Sequence, residues 1–203
     1  MTYLLCHGFG FSNKYWRNLI PFLDGEVIFS DDNSDKNRRY VGIGHSIGFQ
    51  KLNNSGLKFD CLIGLQGFIN FCGSDQNTRN ERAANLDQML QISAVDIAKS
   101  LEFFYRLCKY PDPIPKNIRA DVLMEDLKSM KESYPHCGCP TLIIGSEQDE
   151  IVPLSIIKDN FQNVRNVTVE EINDVPHSLG FCEPEEVSQK IENFLEKHVT
   201  VDL

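Results

Sequence analysis

Short runs of consecutive apolar residues recur along the chain, and most are followed by stretches in which apolar positions return every three or four residues. Continuous apolar runs read as strands buried on both faces, and the three-to-four spacing reads as helices with one apolar face. Strands are predicted over Tyr3–Cys6, Glu26–Phe29, Tyr40–Ile43, Cys61–Leu65, Thr141–Ile144 and Val167–Glu170. Helices are predicted over Tyr15–Leu23, directly after Ser46, over Leu154–Phe161 and over Pro184–Lys197. Ser12 or Asn13 is positioned to cap the first, which places Trp16, Leu19, Ile20 and Leu23 on one face. Ser30–Lys36 reads as a polar loop. Alternating strands and helices predict an α/β fold, a mainly parallel sheet of about six strands covered on both faces.

Residues 68–138 interrupt this alternation, with helical spacing but no convincing strand. Asn80–Ile92 reads as one helix, and Ser93–Tyr110 as a second with Ile97, Leu101, Phe104 and Cys108 in phase. Pro111, Pro113 and Pro115 then break the chain before a third helix over Asn117–Lys131, with Ile118, Val122, Leu127 and Met130 inward. The organisation predicted is a core of residues 1–67 and 139–203 carrying a helical insertion of residues 68–138. Such an insertion is expected as a lid over the C-terminal strand ends, where open α/β sheets bind ligands. The plainer alternative is a helical layer that only completes the core.

Charge and composition narrow the partners. The 203 residues include 20 basic and 29 acidic side chains, a net charge of −9, which argues against nucleic acid. Residues 68–134 hold nine basic and ten acidic residues and are the least acidic part of the chain. No apolar run is long enough to span a membrane, and the N-terminus lacks the basic and apolar regions of a secretory signal. Seven scattered cysteines, several in strand-like runs such as Cys6 and Cys61, read as reduced thiols of a cytoplasmic protein. Cys137-Gly138-Cys139 invites a metal or redox reading, but it has no second cysteine pair or His-x-His partner nearby, so neither a metal nor a redox site is expected.

The candidate chemistry centres on Gly44-His45-Ser46-Ile47-Gly48, which follows a predicted strand and precedes a predicted helix. This G-x-S-x-G pattern is that of a nucleophile elbow, a strained turn that exposes the serine hydroxyl at the top of a sheet. A serine hydroxyl needs a base, and the base needs an acid to hold its tautomer. Asp149 follows the fifth predicted strand and His177 the sixth, which gives the order serine, acid, histidine. Glu147 and Glu150 compete with Asp149. His7, His45, His136 and His198 are weaker candidates for the base, and His45, next to the serine, is expected to point away from it. The oxyanion of a tetrahedral intermediate needs backbone donors. The N–H of Ile47 is one, and the N–H of Phe9, in the His7-Gly8-Phe9-Gly10 loop, is the other, with the Phe9 side chain lining the acyl pocket. This chemistry calls for no metal and no cofactor.

The loop His7–Gly10 followed by Trp16, the Gly44–Gly48 elbow, Gly145-x-x-x-Asp149 with Val152-Pro153, and His177 together resemble the α/β-hydrolase superfamily over essentially the whole chain. Within it the pattern looks most like the BioH-type pimeloyl-acyl-carrier-protein methyl ester esterases of biotin synthesis. The lid segment Leu101–Cys108 is similar to the lid helix of that group, which implies pimeloyl contacts from Phe104, Tyr105, Leu107 and Cys108. The resemblance further implies an acidic acyl-carrier protein as partner. Lys99, Arg106, Lys109, Lys116 and Arg119 lie in the lid and read either as a basic docking face for it or as an ordinary solvated helix surface, on a chain expected to be a monomer. A general short-chain carboxylesterase or thioesterase would use the same groups, and a binding protein on this fold is the non-catalytic alternative. Two departures from the family pattern stand out. Its usual first two strands are absent, and Phe49 occupies a position where many members carry a small residue.

Overall fold

The computed structural model describes residues 1–31 and 34–199. Of the polar loop expected over Ser30–Lys36, residues 32 and 33 therefore lie outside the described residues. Six strands form one sheet: β1 (Thr2–Cys6), β2 (Glu26–Phe29), β3 (Arg39–His45), β4 (Lys58–Leu65), β5 (Thr141–Gly145) and β6 (Val167–Glu171). Their order is β2-β1-β3-β4-β5-β6, and every neighbouring pair is parallel. Register sets Leu5 beside Ile43, Ile43 beside Ile63 and Ile63 beside Leu142, a continuous apolar row across the four inner strands. Those four residues are fully buried, as strands covered on both faces require. The edges are different. In β2, Glu26 pairs with Arg38, and in β6, Glu170 and Glu171 pair with Lys190 and Lys158.

Helices α1 (Ile47–Asn53), α5 (Leu154–Phe161), α6 (Leu179–Cys182) and α7 (Pro184–His198) cover the sheet. α1 lies against β1, β3 and β4, α5 against β5 and β6, and α7 against β4 and β5. Phe49, the bulky residue of α1, fits because β4 and the loop after it are small where it lands. A Cβ on Gly64 would lie 2.9 Å from the Phe49 ring, and one on Gly67 2.8 Å from it. The helix expected over Tyr15–Leu23 is instead two 3-10 segments, Asn13–Asn18 and Ile20–Phe22, and Ser12 makes no side-chain cap. Pro21 supplies no backbone N–H, so an α-helical ladder through this segment would lose a rung. Tyr15, Trp16 and Leu19 are buried nonetheless, while Ile20 and Leu23 are only half-buried.

Three helices separate β4 from β5: α2 (Gln76–Val95), α3 (Ile97–Leu107) and α4 (Ala120–Ser129). The break between α2 and α3 falls at Asp96 rather than before Ser93. Asp96 is extended, and its carboxylate accepts the N–H of Lys99, which starts a new helix with a capped first turn. Asp75 caps α2 in the same way through the N–H of Thr78. The root of this segment is closed by a bridge between Asn70 and Ser133 and by the Tyr134 N–H on the Ile69 carbonyl. Asn160 of α5 reinforces it, its Oδ1 accepting the N–H groups of both Ile69 and Asn70.

Candidate active site

Ser46 sits between the end of β3 and the start of α1 with φ 55° and ψ −127°, a conformation that costs an L-residue about 1–3 kcal/mol. Close packing enforces the turn. A Cβ on Gly48 would come within 2.1 Å of the Cys6 carbonyl oxygen, and one on Gly44 within 2.3 Å of the Phe49 Cα. Hydrogen bonds hold both sides. The Ser46 N–H donates to the Leu65 carbonyl at 2.9 Å, and the Phe49 N–H to the Ser46 carbonyl at 3.0 Å.

The loops after β5 and β6 bring Asp149 and His177 to this point. His177 Nε2 lies 3.0 Å from Ser46 Oγ, and its Nδ1 lies 2.7 Å from Asp149 Oδ2. The other carboxylate oxygen accepts the N–H groups of Ile151 at 2.8 Å and Val152 at 2.9 Å. Asp149 therefore has both oxygens committed, and its orientation toward His177 is fixed. All three residues are at most 3% exposed. The rival groups lie elsewhere. Glu147 and Glu150 are exposed, His7 faces Asp31, His136 bonds to Thr141, and His198 packs on Phe194.

His45 has a part that its sequence position did not reveal. It does not bond to Ser46, and its Nε2 lies 3.0 Å from the His177 carbonyl oxygen. A carbonyl only accepts, so Nε2 carries the proton and donates. Burial, and then the neighbouring His177, push the His45 imidazole well below its ordinary pKa, which keeps it neutral. Its ring is sandwiched by aromatic contacts, stacked on Tyr15 at 4.3 Å and edge-on to Phe11 at 5.1 Å. Gln66, just after β4, grips the same loop, donating through Nε2 to the Pro176 carbonyl and accepting the Leu179 N–H. Ser146 Oγ accepts the Val175 N–H, joining the acid loop to the histidine loop. Gln66 and Ser146 carry no sequence signal, because their partners are 110 and 29 residues away. Gln66 does have a positive φ of 53°.

The N–H groups of Phe9 and Ile47 are engaged by no other group among the described residues. Ile47 is the first residue of α1, where a helix leaves its N–H groups without internal partners. α3 closes over the Phe9 loop. Tyr105 donates its hydroxyl to the Gly10 carbonyl at 2.6 Å, and Phe104 meets Phe9 edge-on at 5.4 Å.

Above Ser46 lies a cavity of about 1080 Å³ between the strand ends and the three inserted helices. Its walls are mainly apolar, with Leu86, Met89, Phe104, Leu127 and Met130 among them. Phe9, Tyr105 and Leu107 also line it, as do Lys99 and Arg106. Cys108 does not. It is fully buried, and its carbonyl accepts the hydroxyl of Ser178. Of the other cationic residues, Lys109 and Lys116 are exposed, and Arg119 is paired with Asp121 at 2.7 Å. Among the described residues no group of three or more His, Cys, Asp or Glu side chains is arranged to hold a metal, and no helix is long and apolar enough to cross a membrane.

No protein-family model and no curated protein matches the sequence. Solved structures do match its shape. An esterase from Exiguobacterium antarcticum superposes with a TM-score of 0.76 at 11% identity, over 97% of this chain and 92% of that one. The fold is that of the α/β-hydrolases. MenH from S. aureus gives 0.69 at 15% identity, over 98% and 95% of the two chains. A bromoperoxidase from Bacillus anthracis gives 0.67 at 15%, over 96% and 91%. At these identities an α/β-hydrolase fold is what the likeness conveys, and the chemistry has to be argued from the site.

Proposed function

We propose that this α/β-hydrolase-fold chain is a serine hydrolase of carboxylic esters, with Ser46 as nucleophile, His177 as base and Asp149 as the acid that orients it. The observation that carries this reading is the buried line of hydrogen bonds from Ser46 through His177 to Asp149, opening onto an apolar cavity. His177 takes the Ser46 proton as Oγ attacks the ester carbonyl. The oxyanion that forms is met by the free N–H groups of Phe9 and Ile47. Protonated His177 then gives its proton to the departing alcohol, and a water activated by the same imidazole releases the acyl group. The neighbours described as esterases share the fold on which this chemistry would run. The test is turnover of a short-chain aryl ester. Ser46→Ala is expected to abolish it, and retention of near wild-type turnover overturns the reading.

The substrate we propose is the methyl ester of a pimeloyl chain carried on acyl-carrier protein, released as pimeloyl-carrier protein and methanol in biotin synthesis. The resemblance in the lid and the size of the cavity support an extended acyl chain rather than a short one. Phe9, Phe104, Tyr105 and Leu107 would flank it. Lys99 and Arg106 at the cavity, with Lys109 and Lys116 nearby, offer cationic contacts to an acidic carrier. Arg119 offers less, because Asp121 offsets its charge. The enzyme is read as a cytoplasmic monomer that meets its carrier in solution. A general carboxylesterase or thioesterase is the second reading, favoured by the mainly apolar walls of the cavity around Ser46. Comparing methyl-pimeloyl-carrier protein with free short esters and thioesters separates the two. Complementation of a biotin-requiring strain lacking its own methyl esterase, with Ser46→Ala as control, tests the pathway directly.

A further inference from the structure

The Cys137-Gly138-Cys139 loop lies before β5, at the N-terminal edge of the sheet, whereas Ser46 follows the C-terminal end of β3. All strands are parallel, so the two places are on opposite edges. The two sulfur atoms are 3.3 Å apart. A disulfide needs about 2.05 Å, so the pair is roughly 1.3 Å from bonding. Gly138 turns the chain between them at φ +88°, with nothing within 4 Å of where its Cβ would be. Packing therefore does not demand a glycine here, but the backbone turn that brings the sulfurs together does. The turn is anchored on both sides. Asn53 accepts the Cys137 N–H through Oδ1 and donates through Nδ2 to the Pro135 carbonyl, and the Gly138 N–H donates to His136 Nδ1.

The two thiols are unequal. Cys137 is exposed, while Cys139 is half-buried beside Thr141, whose Oγ1 is 3.8 Å from its sulfur. Four other cysteines, Cys6, Cys61, Cys72 and Cys108, are buried, and Cys182 is exposed next to Ser178. No other pair of cysteine sulfurs is in contact among the described residues. Among the described residues no third His, Cys, Asp or Glu joins this pair in a metal cluster either.

We propose that Cys137 and Cys139 form a thiol–disulfide exchange site for small-molecule disulfides, with Cys137 attacking and Cys139 resolving. The Cys137 thiolate attacks one sulfur of the disulfide R–S–S–R and expels R–S⁻, which takes up a proton. Cys139 loses its proton and attacks the Cys137 sulfur of the mixed disulfide, expelling the second R–S⁻. The pair gives up two electrons and two protons and becomes a disulfide, and the small disulfide becomes two thiols. A hydrogen bond from Cys139 favours the attacking thiolate, holding Cys137 down to about 6, while the same contact and burial push Cys139 up. Exchange then follows the usual order, in which the exposed thiolate reacts and the less exposed thiol resolves.

The experiment treats the reduced full-length protein at pH 7 with oxidised glutathione, blocks remaining thiols and maps the products by mass spectrometry. The wild type is expected to close a Cys137–Cys139 disulfide that dithiothreitol reverses. Cys139→Ser is expected to trap one glutathionyl adduct on Cys137, and Cys137→Ser to lose the reaction in this loop. Alkylation of Cys137 in the untreated wild type should outpace that of Cys182, the other exposed thiol, by about tenfold. A wild type that stops at the mixed disulfide, or that reacts no faster at Cys137 than at Cys182, overturns the proposal. Both wild-type readouts stand even where a variant folds poorly. Ester hydrolysis by the oxidised protein should stay within about twofold of the reduced protein, because the two sites lie on opposite edges of the sheet.

Discussion

At the C-terminal edge of the sheet, Ser46, Asp149, His177 and His45 are each at most 3% exposed and each hydrogen-bonded to a named partner. Directly above them, the twenty residues of α2 bury only Leu86 and Ser93, and Val95 at its end is 89% exposed. The floor of the cavity is over-determined, since glycines admit close backbone contact and several loops grip the histidine segment. The roof is tied down at scattered points, among them the Asn70–Ser133 bridge, the Tyr105 hydroxyl on Gly10, Arg82 on the Ile151 carbonyl and the Lys51–Asp126 pair, and these gather on α3 and α4 more than on α2. On the proposed reading, a floor built in this way fixes which bond is attacked. A roof built in this way can change what lies along the cavity without disturbing the attack.

If that contrast is right, changes to the floor should act on turnover and stability, and changes to the roof on selectivity. Ser46→Ala should lower kcat on any accepted ester by about 10⁴- to 10⁶-fold, with Tm at or above wild type. Gly48→Ala drives a Cβ into the Cys6 carbonyl and should cost at least ~3 kcal/mol, read as loss of the cooperative transition in urea. His45→Ala removes the donor to the His177 carbonyl. It should lower kcat by about 10- to 100-fold and leave KM within about twofold, because only the aim of His177 changes. An equal rise in KM would mean that His45 belongs to the roof as well.

His45 also predicts a pH effect on folding. Its folded pKa is depressed below the unfolded value of 6.5, so the unfolded chain binds the extra proton. Stability is then complete above about pH 6.5 and falls as the pH drops below it, by at most ~1.4 kcal/mol per pH unit for this one group. Urea midpoints of wild type and His45→Gln should converge as the pH falls from 7 to 5. Smallest are the roof changes. Phe104→Ala should shift ester chain-length preference by about 10-fold or less, with turnover of the shortest ester nearly unchanged. Arg106→Glu should alter kcat/KM only for a carrier-bound ester, and less at high salt than at low.

Much of the floor was legible in the sequence because it rests on local rules. Strand runs, the Gly44–Gly48 elbow and the order Ser46, Asp149, His177 are each written in contiguous residues or in chain order. The second layer was not legible. Gln66 and Ser146 act through partners far away in the chain, and His45 acts on the His177 backbone rather than on Ser46. Helix ends were missed where a single side chain decides them. Asp96 moved the α2–α3 break, and Pro21 turned an expected helix into two 3-10 segments. In the roof, Leu107 lines the cavity while its neighbour Cys108 turns away, a difference that helical phase alone did not separate.

The two outermost strands bear on life in a concentrated solution. An open parallel sheet offers two rows of unpaired backbone groups, and a second chain can add to either. Here the edge strand β2 begins with Glu26 held by Arg38, and the edge strand β6 ends with Glu170 and Glu171 held by Lys190 and Lys158. An incoming strand would have to strip water from these ion pairs and set its own side chains beside carboxylates. Edge-to-edge stacking of one molecule on the next is therefore discouraged at both borders by charge.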